Sequence, residues 1–275
     1  MSDDNGPGSA SILVPEFSLR SRVAGAAQNE EDYRRIGIAG VDAMNRALAI
    51  LEKDVSDFGT VLDFACGPAR VLQHLHLRNP RQQLYGADID PEAIAWCREH
   101  LDYGSFECND ALPPLPYSSA KFDFIYALSV FSHLEQDMQR SWLSEMTRLL
   151  RPEGAFYLTF SGHYVFDKYK DEFPGEAVSE FEAEGFCFIR NMGAEFYKYP
   201  EWYQTSLQEI IFMRMSCRRN YVWSIMPLAA MSACRTRCSA SNAKRHRAVE
   251  PVDAGLVRRL APIRPPRCAG RRWRA

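Results

Sequence analysis

Short apolar runs alternate with amphipathic segments over most of the chain. The runs at 60–64, 83–88, 104–108, 122–128 and 155–160 have the length and apolar character of buried strands. The segments between them repeat apolar residues three and four positions apart, which is typical of helices packed on a sheet. Strands that alternate with helices in this way predict a mostly parallel sheet with right-handed crossover connections.

Two of the helical segments have clear boundaries. The apolar stripe of the first predicts a helix from Glu30 to Lys53, and the second is expected from Asp137 to Leu150. A third helix should begin directly after Asp90, because Pro91 suits the first helical position.

The stretch from Thr60 to Arg70 carries the first chemical signal. Its apolar strand ends in the carboxylate of Asp63, a run of small residues follows, and a helical pattern then begins at Val71. A strand, a sharp turn and a helix start leave free backbone N–H groups beside the turn. Such a crevice, at the carboxyl end of a parallel strand, suits a nucleotide-like ligand.

A second carboxylate lies at the matching place on the next strand. Gln83 to Asp88 reads as a strand that ends in an acidic side chain, with Asp90 close behind. In dinucleotide folds, an acidic residue about 20 positions past the glycine turn accepts the ribose hydroxyls. A carboxylate suits a ribose diol, since it accepts two hydrogen bonds at once.

Five stretches, in order and at normal spacing, resemble the motifs of class I S-adenosylmethionine-dependent methyltransferases of the small-molecule type. They are Asp63–Arg70, Gly86–Pro91, Cys108–Ala111, Phe122–Leu134 and Leu149–Ala155. The resemblance covers about residues 30 to 210. It implies a Rossmann-like, doubly wound, mostly parallel sheet with helices on both faces. It also implies S-adenosyl-L-methionine as cofactor and methyl transfer to an oxygen or nitrogen atom of a small-molecule acceptor.

The resemblance also implies a set of cofactor-binding residues, which share the turns after strands one to four and the helix before strand one. They are Tyr33, Asp63, Ala65, Cys66, Gly67, Asp88, Ile89, Asp110, Ala111, Leu128 and Ser129. Asp88 would hold the ribose, and the residues after strand three the adenine edge. Tyr33 or Arg34 would reach the methionine carboxylate, unless both are ordinary exposed residues of the helix.

One residue is the best-placed candidate for catalysis. A hydroxyl nucleophile benefits from a general base, and His133 follows strand four on the side of the cofactor crevice. The alternative is that His133 is a structural residue that caps the following segment.

The turn departs from the family pattern at two positions. Ala65 and Ala69 stand where the family often has glycine, and only Gly67 remains. Alanine adopts a positive φ only at an energetic cost, so this turn is an unusual version of the motif.

Other classes are disfavoured by what the sequence lacks. A nicotinamide oxidoreductase prefers G-x-G-x-x-G, which is missing here. An amino-group nucleic-acid methyltransferase would show Asn/Asp-Pro-Pro-Tyr/Phe where this chain has Ala127 to Val130. No carboxylate cluster or Cys/His spacing predicts a metal site, which disfavours a magnesium-dependent catechol-type reaction.

The charge is divided unevenly along the chain. Residues 1–213 carry 18 Lys/Arg against 33 Asp/Glu, whereas residues 214–275 carry 15 against 2. The basic segment is rich in Arg, Ala, Cys and Pro and does not read as the final strands of the fold. Two interpretations remain open: a basic tail that binds anionic surfaces or nucleic acid, or an out-of-frame ending that leaves the C-terminal strand pair missing or altered.

We therefore expect an N-terminal extension over 1–29 that is disordered over 1–12, a methyltransferase domain over 30–213 and a basic tail of low order over 214–275. The eight cysteines, the missing signal peptide and the missing apolar span predict a cytoplasmic protein with reduced thiols. The expected partner is a small-molecule acceptor, with no membrane and no nucleic acid. The alternative function is a non-catalytic cofactor-binding protein, or an inactive truncated or frameshifted enzyme.

Overall fold

The computed structural model describes residues 11–23, 29–190 and 205–208. The helices in these ranges are α1 Phe17–Val23, α2 Glu30–Leu48, α3 Leu72–Arg78, α4 Pro91–His100, α5 Gln136–Leu149, α6 His163–Tyr169 and α7 Gly175–Glu184. The strands are β1 Thr60–Phe64, β2 Gln83–Asp88, β3 Gly104–Cys108, β4 Phe122–Ala127, β5 Leu150–Leu158, β6 Phe186–Ile189 and β7 Thr205–Gln208. No helix among the described residues is both long and apolar enough to cross a membrane.

Five strands form one parallel sheet in the order β3-β2-β1-β4-β5. The chain runs outward from β1 to β2 and β3, and then returns to the other side of β1 for β4 and β5. The strand order therefore reverses between β1 and β4. In open parallel sheets, ligands bind at the carboxyl ends of the strands beside such a reversal.

Helices cover both faces of the sheet, as the doubly wound prediction requires. Successive residues of β1 and β4 alternate between two apolar clusters, and β1 is buried at all of its positions. One cluster joins the sheet to α2, α3 and α4, and the other joins it to α5. The near-continuous apolar strands follow from this two-sided burial.

The predicted elements agree closely with the observed ones, and the fold class is confirmed. The first helix ends earlier than predicted, since a 3₁₀ turn at Ala49–Leu51 follows Leu48 and Glu52 adopts a left-handed φ of 55°. The fifth strand begins at Leu150 instead of Ala155, because its pairing with β4 starts at Phe122 and shifts register before Phe124.

Residues 11–23 of the N-terminal extension fold onto the domain, and they include the last two residues of the stretch over 1–12 that was expected to be disordered. The Leu13 N–H donates to Oε1 of Gln73 at 2.8 Å, and Nε2 of Gln73 donates to the Leu13 carbonyl at 2.9 Å. Ile12 is buried against Tyr33 and Ile36 of α2. The acidic and glycine-rich start of the sequence did not reveal these tertiary contacts.

The remaining described strands form a separate antiparallel pair. Phe186 of β6 pairs with Gln208 of β7, and the pairing continues to Ile189 and Thr205. This pair is not hydrogen-bonded to the five-stranded sheet. The predictions for the tail over 214–275, including the loss of later strands, lie outside the described residues.

We predict that Gln73→Ala releases the N-terminal segment. The variant loses both hydrogen bonds to Leu13, each contributing about 0.5–1.5 kcal/mol to docking. Backbone amides of residues 11–23 should therefore exchange faster with deuterium than in the wild type. The exposed Gln83→Ala is the matched control, and equal protection in both variants would show that Gln73 does not hold the segment.

Candidate cofactor and active site

The carboxylate of Asp63, the second-last residue of β1, is enclosed by protein. Asp63 is only 3% exposed, and its Oδ2 accepts a hydrogen bond from the Tyr126 hydroxyl at 2.8 Å. Burial raises the pKa of the Asp63 carboxyl to about 8, because the charged form is poorly solvated there. Asp63 is therefore largely protonated at neutral pH.

The turn after β1 is fastened to the end of β2. The N–H groups of Ala65 and Cys66 both donate to the Ala87 carbonyl, at 2.7 and 3.1 Å. The Gly67 N–H donates to Oδ2 of Asp88 at 2.6 Å. These bonds fix the turn at the point where the strand order reverses.

The two alanines of the turn adopt the conformation that the family pattern assigns to glycine. The φ angles of Ala65, Gly67 and Ala69 are 65°, 50° and 54°. A left-handed conformation costs a non-glycine residue about 1–2 kcal/mol. The turn therefore keeps a glycine-like geometry at the expense of local strain.

Asp88 is buried and stabilises the turn after β1 through hydrogen bonds that its carboxylate accepts. Its Oδ1 accepts the Asp90 N–H at 2.8 Å while its Oδ2 holds the Gly67 N–H. Burial raises the pKa of the Asp88 carboxyl to about 6, although the backbone N–H donors oppose this shift. Each oxygen has a further lone pair, so the carboxylate is still able to accept a ribose hydroxyl.

The structure places Tyr33, a predicted contact of the methionine carboxylate, behind the turn. Its side chain is fully buried, and its hydroxyl donates to the Pro68 carbonyl at 3.0 Å. Burial raises the pKa of this phenol. The residue therefore supports the turn as a neutral hydrogen-bond donor.

The turn after β3 holds a polar atom that the sequence analysis overlooked. Asp110 and Ala111 are exposed, and the Ala111 carbonyl accepts a hydrogen bond from Nε1 of Trp142 at 3.0 Å. Oδ1 of Asn109 is buried and has no hydrogen-bond partner among the described residues. The signal in the sequence is the Asn109 amide, which lies in the same turn as Asp110, the acid predicted to meet the adenine edge.

The segment after β4 lies beside this crevice. Leu128 and Ser129 are partly buried, and the Ser129 N–H donates to Oγ1 of Thr159 at 2.7 Å with a φ of 62°. His133 is partly buried and ends a 3₁₀ turn, Phe131–His133. Ile89, after β2, is also partly buried. The predicted residues that follow β1, β2, β3 and β4 lie at the carboxyl edge of the parallel sheet.

The end of α1 also meets the glycine turn. Arg22 forms ion pairs with Asp90 at 2.7 Å and with Glu92 at 2.6 Å. A Cβ atom added at Gly67 would lie 2.2 Å from Cγ1 of Val23, so only glycine permits this close approach. The N-terminal segment therefore contacts the edge that holds the candidate site.

Two surface clefts lie at different places relative to the carboxyl edge of the sheet. A cleft of about 610 Å³ is lined by residues that include Lys53, Asp123 and Arg151, at the amino ends of the strands. A second cleft of about 320 Å³ is lined by Glu135, Gln136, Asp137, Phe186, Phe188 and Arg190. The second lies directly after the 3₁₀ turn that carries His133.

We predict that Ala65→Gly stabilises the protein, since glycine adopts a positive φ without strain. The free energy of unfolding should rise by about 1 kcal/mol in a denaturant titration. The control is Ala95→Gly in the exposed face of α4, which should lower it by about 1 kcal/mol. A loss of stability in both variants would contradict the strained conformation of Ala65.

We also predict a pH dependence of stability that comes from Asp63. Its folded-state pKa of about 8 exceeds that of an unfolded aspartate, about 3.9, so the folded protein keeps a proton that the unfolded chain releases. The unfolding free energy should fall as pH rises to about 8, by up to ~1.4 kcal/mol per pH unit.

Asp63→Asn should flatten this fall between about pH 6.5 and 8, a range above the pKa of about 6 for Asp88. Denaturant titrations at several pH values measure the effect. The exposed Asp171→Asn should leave the slope unchanged. A slope that persists in Asp63→Asn would assign the proton to another group.

A family model described as a methyltransferase domain matches residues 61–154. The match begins within β1 and ends in β5, and it includes the turn and the carboxylates described above. It leaves α1, α2 and the β6–β7 pair outside its bounds.

Several solved structures are similar to parts of the chain. The TehB-like SAM-dependent methyltransferase from Corynebacterium glutamicum is 22% identical over 50% of this chain and 67% of that chain, with a TM-score of 0.37. PKMT2 from Rickettsia typhi in complex with AdoHcy is 23% identical, over 52% of this chain and 25% of that chain, with a TM-score of 0.35. The plantazolicin methyltransferase BpumL in complex with SAH is 15% identical over 62% of this chain and 77% of that chain, with a TM-score of 0.43.

The chain spans about two thirds of the first of these proteins and a quarter of the second. The family model, the parallel sheet with its reversal beside β1, and the carboxylates that end β1 and β2 agree with one another. Residues 61–154 are therefore similar to a methyltransferase domain, and the topology of the parallel sheet is consistent with this similarity.

Proposed function

We propose that the chain is a methyltransferase that uses S-adenosyl-L-methionine to methylate an oxygen or nitrogen atom of a small molecule. The observation that carries the proposal is the hydrogen bond from the Gly67 N–H to the Asp88 carboxylate, at 2.6 Å. It joins the turn after β1 to the acidic end of β2 beside the reversal of strand order, where a nucleoside ligand is expected.

The side chains at this edge fit the parts of the cofactor. Asp88 offers lone pairs to the ribose hydroxyls, and the turn from Ala65 to Gly67 offers a backbone surface to the amino acid portion. The buried Oδ1 of Asn109 has no partner among the described atoms, so it fits a donor such as the adenine amine. Ile89 and Leu128 are partly buried apolar side chains that fit the adenine face and the methionine chain.

The reaction requires alignment more than chemical assistance. The cofactor, when bound, supplies a methyl group activated by its sulfonium. The residues of the crevice orient the reacting centre towards the acceptor, and positioning of this kind is a large part of the rate gain in a two-substrate reaction. His133, in the turn after β4, would accept the proton of a hydroxyl or amine acceptor as a general base.

The acceptor would enter beside this turn. The cleft of about 320 Å³ has the volume of a small-molecule pocket. Its partly buried Phe186 and Phe188 offer flat apolar contacts, and Glu135 and Arg190 offer charge at its rim. A pocket of this size supports a small acceptor over a folded protein or a nucleic acid duplex.

A second candidate function is cofactor binding without turnover. Arg22 and Val23 of the N-terminal segment contact Asp90 and Gly67, beside the place proposed for the ribose. A segment that stays closed over the bound cofactor would prevent methyl transfer. Consumption of radiolabelled S-adenosylmethionine by the full chain with a panel of small hydroxyl and amine compounds distinguishes the two functions.

We predict that Asp88→Ala weakens cofactor binding. Loss of hydrogen bonds to a charged acceptor should lower the binding free energy of S-adenosylhomocysteine by about 1.5–3 kcal/mol, or about 10- to 100-fold in affinity. Isothermal titration calorimetry on the full chain measures this change.

The exposed Asp102→Asn is the control and should bind as the wild type does. Thermal unfolding without ligand separates a binding defect from a disordered turn, because Asp88 also holds the Gly67 N–H. A wild-type chain that is folded and binds neither S-adenosylmethionine nor S-adenosylhomocysteine would refute the proposed function.

A further inference from the structure

The strand β6 presents two aromatic side chains outside the apolar core. Side chains alternate between the two faces of a strand, and Cys187 and Ile189 are buried in a cluster with residues of α6 and α7. Phe186 and Phe188 lie on the opposite face, are partly buried, and belong to no apolar cluster in the described part of the chain. Because core packing does not account for these rings, they form a candidate contact surface for a ligand.

The two rings line the cleft of about 320 Å³, and its other wall is the start of α5. Glu135, Gln136 and Asp137 lie on that wall, and Arg190 follows β6 on the first wall. Glu135 is the N-cap residue of α5, but its side chain makes no capping hydrogen bond and forms an ion pair with Arg190. Exposed ion pairs of this kind contribute little to stability. The pair therefore joins the two walls of the cleft without being a main support of the fold.

The cleft lies at the same edge of the sheet as the candidate cofactor site. The helix α5 follows β4, so it begins at the carboxyl edge of the parallel sheet. The strand β7, which pairs with β6, contacts the 3₁₀ turn Phe131–His133. The lining of the cleft begins at Glu135, two residues after His133. A compound bound in the cleft is therefore close to the turn that carries the candidate general base.

The charges of the cleft do not favour an anionic compound. Arg190 is engaged by Glu135, and its guanidinium carbon lies 5.1 Å from the centre of the Phe188 ring. The described residues that line the cleft include no second cation. A carboxylate on the ligand would have to displace Glu135 from Arg190. The flat guanidinium against Phe188 also shows that the face of this ring accommodates a planar group.

We propose that this cleft binds an uncharged aromatic hydroxyl compound as the methyl acceptor, with its ring against Phe186 and Phe188. The inference rests on the proposed function and specifies the chemical class of its acceptor. Aromatic rings attract one another in offset and edge-to-face arrangements, in addition to the effect of burying their area. The cleft of about 320 Å³ has the volume of a small-molecule site and can hold a compound of one or two rings.

The reaction at this site is a single displacement. The aryl oxygen forms a bond to the methyl carbon as the bond between that carbon and sulfur breaks. The electron pair of the broken bond stays on sulfur, and S-adenosylhomocysteine leaves. The hydroxyl proton passes to His133, and the other product is an aryl methyl ether. Phe186 and Phe188 take no part in the bond changes, since they orient the plane of the acceptor.

The first test compares two acceptors that share a carbon skeleton and differ in aromaticity. 2-Naphthol is flat, whereas decahydro-2-naphthol is saturated and puckered. Each is titrated calorimetrically into the full-length chain saturated with S-adenosylhomocysteine, and transfer from radiolabelled S-adenosylmethionine is followed as 2-methoxynaphthalene. We expect 2-naphthol to bind about 2- to 10-fold more tightly, because ring contacts add to the apolar burial that both compounds share.

Phe186→Leu and Phe188→Leu each remove one ring and keep an apolar side chain. In both variants the preference for 2-naphthol should fall by about twofold or more. Their affinity for S-adenosylhomocysteine should stay at the wild-type value, which shows that the variants are folded. Phe17→Leu is the matched control, because Phe17 is an exposed aromatic residue of α1 with the guanidinium of Arg20 5.2 Å from its ring centre. It should keep the full preference.

The charge of the acceptor gives an independent readout. 6-Hydroxy-2-naphthoate adds a carboxylate to the same ring system, and it should bind the wild type more weakly than 2-naphthol does. Glu135→Gln leaves Arg190 without its carboxylate partner and should reverse this order. Glu182→Gln, at an exposed position of α7, is the control and should keep the wild-type order.

The outcomes separate the two proposals. A folded wild type that binds neither S-adenosylmethionine nor S-adenosylhomocysteine refutes the proposed function and, with it, the acceptor site. A wild type that binds S-adenosylhomocysteine but binds 2-naphthol and its saturated form equally refutes the aromatic acceptor alone. The same holds for a preference that survives both phenylalanine variants, for an order of the two naphthol compounds that Glu135→Gln does not change, and for bound 2-naphthol that is not methylated.

Discussion

The hydrogen bond between the Gly67 N–H and the Asp88 carboxylate is the constraint on which the site depends. It ties the turn after β1 to the end of β2, and two further N–H groups of the turn reach the Ala87 carbonyl. The turn must adopt left-handed angles at Ala65 and Ala69 to make these bonds. Local strain in the turn is thus compensated by contacts to the neighbouring strand, a balance often found at binding sites.

The turn after β1 lies beside several ionisable side chains that are removed from water. Asp63 and Asp88 end adjacent parallel strands and are both buried, and burial raises the pKa of each carboxyl. Arg70 lies near Asp63, and its buried Nε and Nη1 atoms have no hydrogen-bond partner among the described residues. Burial leaves all three groups poorly solvated, which disfavours their charged forms.

Segments outside the matched domain shape the access to this site. The N-terminal segment docks through Gln73 and places Arg22 and Val23 beside the turn, and the β6–β7 pair lines the cleft beyond His133. These segments therefore lie beside the candidate site although they are outside the matched residues 61–154.

The sequence by itself determined the sheet, because two-sided burial leaves apolar runs such as Thr60–Phe64 that local patterning reveals. It also located the turn and the carboxylates Asp63 and Asp88, since their positions at strand ends follow from spacing alone. Tertiary structure decided what these groups contact. The docking of residues 11–23 and the burial of the Tyr33 hydroxyl depend on atoms brought together from distant parts of the chain. The same is true, among the described residues, of the unpaired donors of Arg70 and of the unpaired acceptor Oδ1 of Asn109. Local sequence patterns do not reveal such contacts. The same type of residue can contact a ligand or stabilise a turn, and which of the two it does depends on the atoms that pack against it.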